Sequence, residues 1–162
     1  MTEIGNIIRK MRKVYCNGGI AKKIAREIQG HDHASNSALA ILVAYDLQSG
    51  NYIRYHQENP EYSKVRCLQA SEIVGKYLAK GKSALEVGVG EGITLRGVIR
   101  NLEGGGKNKF LGFDISWSRI KTAKEYLGED MATLFVADLF NIPLKDDSID
   151  LVYSSHSLEP NG

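Results

Sequence analysis

The stretch Ala84–Leu95, ALEVGVGEGITL, constrains the fold more than any other part of the chain. Four strand-like residues come first, then three glycines at every second position, then a helix start. Glycine has no Cβ, so a glycine-rich turn lets the backbone pass close to a ligand. A strand, such a turn and a helix in succession suit one unit of a parallel sheet.

The rest of the second half repeats that grammar. ALEV (84–87), KFLGFD (109–114), ATLFVAD (132–138) and IDLVYSS (149–155) read as four short strands. Turn chemistry and a helical or partly helical segment follow each of the first three. The clearest helix has Ser116 as N-cap and runs through Ile120, Ala123, Lys124 and Leu127. The alternation predicts parallel strands with right-handed crossovers, hence an α/β, Rossmann-like, mostly parallel sheet of about four strands.

Before Lys80 the texture is helical. Ile4, Ile7, Ile8, Met11, Val14 and Tyr15 recur at helical spacing, and NGG at 17–19 closes that helix. Ile20, Ile24 and Ile28 give a second short helix ending at Gly30, and residues 35–47 a third. Residues 48–62, broken by Gly50 and Pro60, read mainly as loop, and Ser63 as the N-cap of a helix over 64–79.

Charge is uneven. Residues 1–80 carry 12 Lys/Arg against 7 Asp/Glu, so +5, and residues 81–162 carry 9 against 12, so −3. The basic N-terminal residues interleave with apolar ones at helical spacing, which reads as a solvated helix face rather than a nucleic-acid or membrane contact. Cys16 and Cys67 form no CxxC and have no clustered His, so neither a metal site nor a disulfide framework is expected. His31 and His33 read as a surface turn. The longest apolar run, ALAILVAY at 38–45, is far short of the ~20 residues a membrane helix needs. With no signal peptide in view, the expectation is a soluble cytoplasmic protein with no membrane partner.

Ligands of parallel sheets sit beyond the carboxyl ends of the strands. Polar residues gather there: Glu86, Gly88, Gly90 and Gly92 after the first strand, Asp114 after the second, Asp138 after the third, and Ser154, Ser155 and His156 after the fourth. The dinucleotide fingerprint G-x-G-x-x-G is not met, because its third glycine falls on Ile93. An acid at Glu86 opposes a pyrophosphate and suits a ligand with an ammonium group. Asp114 lies 22 residues after Gly92, near the ~20-residue separation at which a strand-end carboxylate reaches a ribose.

LEVGVGEG, LGFDIS and FVADLFNIPLKDDSIDLVYSSHSLEP together resemble the class I S-adenosylmethionine-dependent methyltransferases, the small-molecule branch most of all. The resemblance covers about residues 83–160. It implies that Glu86, Gly88, Gly90 and Gly92 wrap the methionine part of S-adenosyl-L-methionine. It further implies that Asp114 binds the ribose hydroxyls and Ile115 lies beside the adenine. Asp138 would accept from the adenine amine, and Leu139 would offer a backbone amide. Ser154 joins the cofactor-binding set. His156 reads as a general base or as a packed or solvent-facing histidine. The Glu-His that often ends this segment in the family is Glu159-Pro160 here. Asp138 has a plain alternative as a turn residue. Tyr45, Tyr52, Tyr55 and Tyr62 read as part of a lid or as aromatic packing onto the sheet, and Trp117 as adenine-side or helix–sheet packing.

On this resemblance, residues 1–80 are a helical cap or lid region and residues 81–162 a partial S-adenosylmethionine-binding domain. No Asn/Asp-Pro-Pro-Tyr/Phe motif follows the fourth strand, which disfavours amide- and base-nitrogen methylation. The implied activity is methyl transfer to a small molecule or sugar by in-line attack on the sulfonium methyl. The alternatives are a non-catalytic cofactor-binding module and, less favoured, a nucleic-acid methyltransferase. The family fold has seven strands against four here. The expectations are a fragment, a truncated product, or a half-sheet that self-associates through its open fourth-strand edge.

Overall fold

The computed structural model describes residues 13, 38–102, 108–128, 130–155 and 157. The first two expected helices, Cys16, His31, His33 and His156 lie outside the described residues. The described residues fall into two compact units that divide between Ser49 and Gly50. The first contributes helix α1, Ala38–Gln48, close to the expected third helix. No described helix is long and apolar enough to cross a membrane.

The second unit runs from Gly50 as α2 (Asn51–Glu58), α3 (Pro60–Tyr77), β1 (Ser83–Val87), α4 (Ile93–Leu102), β2 (Lys109–Asp114), α5 (Trp117–Leu127), β3 (Thr133–Val136) and β4 (Leu151–Ser154). All strand pairs are parallel, in the order β3-β2-β1-β4. The four expected strands are all present within three residues of their expected ends. No helix follows β3 among the described residues, contrary to expectation. Residues 137–150 there form turns with an isolated bridge between Asp138 and Asn141.

Two further expectations need correction. Residues 48–62 are mostly helical, and the next helix starts at Pro60 rather than after Ser63. Gly50 and Pro60 act here as punctuation between helices. Pro60 occupies the first turn of α3, where a missing N–H costs nothing and φ is already helical.

Strand alternation sorts the core into two layers. Ala84, Phe110 and Leu134 face α3, α4 and α5, packing on Val74, Leu95, Val98, Ile120, Ala123 and Leu127. Leu85, Val87 and Phe113 point to the other face, where Ala137, Ile142, Leu144 and Ile149 from the post-β3 segment cover them. At the opening end of the sheet, Asp150 clasps β1. Its Oδ2 accepts from the Ser83 N–H (2.9 Å) and hydroxyl (2.7 Å), and its Oδ1 meets Lys82 Nζ at 2.9 Å. The Ser83 amide, then Lys82 and the Ser83 hydroxyl, hold this carboxyl well below the usual range. The opposite, carboxyl ends of the strands therefore converge on the glycine turn.

Candidate cofactor site

Gly88, Gly90 and Gly92 all adopt left-handed backbone, with φ of 67°, 56° and 79°. What each faces differs. A Cβ at Gly88 would stand 2.3 Å from Ser157 Cβ, and one at Gly92 2.2 Å from Leu127 Cδ1. At Gly90 the nearest described atom is Arg119 Nη1 at 3.8 Å. The outer two glycines are thus consumed by packing, whereas a Cβ at the middle one would make only ordinary contact with Arg119.

Asp114 is buried at the end of β2 and locks this turn. Its Oδ2 accepts from the Gly90 N–H at 3.0 Å and its Oδ1 from the Ser116 N–H at 2.9 Å. The Ser116 hydroxyl in turn accepts from the Arg119 N–H at 3.2 Å, which makes it the N-cap of α5 as expected. The Val89 N–H donates to the Phe113 carbonyl at 2.9 Å, and the Ala137 N–H to the Asp114 carbonyl at 3.1 Å. Three strand ends are thereby tied together around Asp114. Ile115 is half-buried beside it.

Glu86 sits below the turn and is 1% exposed. It occupies one row across the sheet, with Gly112 on one side and Tyr153 on the other. Gly112 adds no side chain to that row. The Ser155 hydroxyl donates to Glu86 Oε1 at 2.9 Å and the Tyr153 hydroxyl to Oε2 at 3.3 Å. Burial pushes the Glu86 carboxyl up to about 7, against the opposing effect of these two hydroxyls and of Arg66. Burial, then the Glu86 charge, pushes the Tyr153 phenol upward.

The remaining expected residues spread along the same rim. Asp138 Oδ1 accepts from the Phe140 N–H at 2.9 Å, so this carboxylate organises its own turn. Leu139 is exposed, and Phe140 beside it is 94% exposed. Ser154 Oγ lies 2.5 Å from Ser157 Oγ, and Ser157 Oγ donates to the Val87 carbonyl at 3.0 Å. The segment after β4 is thereby fastened to the turn through Ser157. Trp117 is 62% exposed with Lys121 Nζ 5.8 Å from its ring centroid, so it does not pack between helix and sheet. Tyr55, His56 and Tyr62 form an aromatic cluster with centroids 5.7–5.9 Å apart, on α2 and α3 rather than on the sheet. Among the described residues, no group of three or more His, Cys, Asp or Glu could hold a metal ion.

Sequence reasoning missed Glu91, Arg119, His56 and Ser157. Glu91 is 3% exposed, and its carboxylate accepts from the Gly50 N–H (Oε1, 2.8 Å) and the Ile53 N–H (Oε2, 2.9 Å). Arg119 is buried, with its guanidinium 5.0 Å from the Tyr52 ring centroid. His56 is buried, and desolvation followed by Arg66 lowers its pKa against the opposing Glu91 charge. The acid between two glycines was a visible signal for Glu91. Its partners, about forty residues earlier, were not.

Residues 84–161 match the family model described as "Methyltransferase domain". The match takes in the glycine turn and all four strand ends, just under half of the chain. Among solved structures, the chain is similar to one in the complex between the Haloferax volcanii Trm112 methyltransferase activator and the putative methyltransferase. Identity there is 22% with a TM-score of 0.51, over 68% of this chain and 46% of that one. It is also similar to a putative S-adenosyl-L-methionine-dependent methyltransferase from Methanococcus maripaludis (20% identity, TM-score 0.47, 61% and 43% covered). A third is an S-adenosylmethionine-dependent methyltransferase from Aquifex aeolicus (22% identity, TM-score 0.47, 57% and 50% covered). The chain thus spans about half the length of these structures or less. No curated protein matches it.

Proposed function

We propose that the chain holds S-adenosylmethionine across the carboxyl ends of β1, β2, β3 and β4, and that the protein transfers its methyl group to a small-molecule or sugar acceptor. The observation that carries this reading is the bond between Gly90 N–H and Asp114 at 3.0 Å, at the one glycine of the turn where a Cβ would clash with no described atom. It brings the two most diagnostic motifs of the sequence to one point. The residues fit the cofactor there. The middle glycine presents backbone with no Cβ, which a ligand can approach closely. The Asp114 carboxylate stands buried at the end of β2 and bonds the Gly90 amide, which puts an acid directly against the turn.

In this reading Gly88, Gly90 and Gly92 shape the methionine side. Asp114 accepts from the ribose hydroxyls, Ile115 lies beside the adenine, and Leu139 offers the ring its backbone amide. Asp138 accepts from the adenine amine while it holds its own turn. Ser154 borders the methionine end. Glu86 acts from below as a buried negative charge toward the ammonium group, once ionised. The cofactor supplies a methyl carbon already activated by its positive sulfur. The chain's own work is then alignment and exclusion of water. His156 is proposed as the base that removes a proton from a hydroxyl acceptor. Residues 1–80 are proposed as the cap over this site.

Calorimetric titration with S-adenosylmethionine, and separately with NAD, tests the cofactor side. We expect binding of the first alone, and a loss of about tenfold or more in Asp114→Ala, which forfeits charged hydrogen bonds. Preference for NAD would defeat the reading.

A further inference from the structure

Helix α2 has eight residues, a length at which an isolated helix is marginal in water. It is bounded by breaks. Gly50 is left-handed at φ 94°, and Asn59 leaves helical geometry just before Pro60. No side chain of its own caps its first turn. The cap comes from Glu91 instead, which binds the Gly50 and Ile53 amides from the middle of the glycine turn. With Glu91 3% exposed, these charge-assisted bonds are shielded from water.

The neighbours of Glu91 are the constrained parts of the turn. The Gly90 amide is held by Asp114, and Gly92 packs under Leu127 and Ala123. α2 touches the same place a second time through Tyr52, whose ring lies against Arg119. Arg119 Nη1 is the described atom that a Cβ at Gly90 would meet first, at 3.8 Å. The turn therefore has little freedom to rearrange without moving α2.

We propose that Glu91 is a positioning residue, a latch through which the glycine turn holds α2, so that cofactor binding and the docking of α2 are one coupled event. The proposal rests on the S-adenosylmethionine reading above. A ligand that orders the turn favours the latched state, and by reciprocity the latched state binds that ligand more tightly. α2 is the moving part, with Gly50 and Asn59 as the positions that absorb its motion. Glu91 touches no reacting atom and acts through α2.

The test is amide hydrogen exchange and S-adenosylmethionine titration on the full chain, as wild type, Glu91→Ala and Glu91→Gln. In the wild type, exchange over residues 50–58 should slow when S-adenosylmethionine is added. In Glu91→Ala it should be faster with and without the ligand, and affinity should fall about tenfold. Exchange in β1 and β2 should not change, which a general loss of structure would not allow. Glu91→Gln, keeping one acceptor of similar shape, should fall between and serves if the alanine variant fails to fold. Unchanged affinity in both variants overturns the coupling, and unchanged exchange over 50–58 overturns the latch. If the wild type binds no S-adenosylmethionine, the cofactor reading fails and the coupling with it. Exchange without ligand still decides whether the latch exists.

Discussion

Glu86 is a carboxyl group placed where water does not reach, and its energetics follow from that. Its ordinary value near 4.5 rises to about 7 in the folded protein, chiefly through burial. Between those values the folded state holds a proton that the unfolded state has lost. Stability from this group is therefore full below about pH 4.5 and falls as pH rises through about 7. We predict a loss on the order of 2 kcal/mol between pH 5 and pH 8 that is absent in Glu86→Gln. Denaturant midpoints of both proteins at the two pH values measure it, and parallel profiles would refute it. The sequence disclosed that an acid stood here. It did not disclose that Ser155 and Tyr153, almost seventy residues later, hold it. Likewise Asp114 was legible as a strand-end acid, whereas its bond to Gly90 needed the fold.

Elements were legible where their signals were local. The four strands are short apolar runs bounded by turn residues, and Ser116 caps α5 within its own segment. α2 was misread because its stabilisation is not local, since its cap arrives from Glu91 across the fold. The pairing of α3 with α4 has the same character. Gly97 in α4 looks like a weak helix residue, yet a Cβ there would stand 2.5 Å from Cys67 Cβ and Sγ in α3. Alanine at an open helical glycine gains about 1 kcal/mol of propensity. At Gly97 that gain is outweighed by overpacking, which costs about 1–3 kcal/mol. Gly75, in α3, meets only the flexible end of Leu102 at 3.0 Å. We predict that Gly97→Ala lowers the thermal midpoint and that Gly75→Ala leaves it unchanged or raises it. Equal effects at the two positions would show that the α3–α4 approach is not tight.

At the scale of the molecule, the two sheet faces are finished to different degrees. One is covered across β1, β2 and β3 by α3, α4 and α5, with Leu151 and Tyr153 of β4 joining that layer. On the other, the post-β3 segment covers Leu85, Val87 and Phe113, but Val152 of β4 is 57% exposed. β4 is also an edge in the order β3-β2-β1-β4 among the described residues, pairing only with β1. Unpaired backbone groups and an exposed β-branched side chain on one edge strand make a template for another strand. The strand order of the resembled family implies this edge, and IDLVY marks it as an apolar one. We predict that the 162-residue chain self-associates with rising concentration. Val152→Lys should remain monomeric, since a lysine on an edge strand blocks such pairing. Sedimentation velocity over a hundredfold concentration range distinguishes the two. A wild type that stays monomeric throughout, or a lysine variant that associates equally, would place any self-association elsewhere than β4.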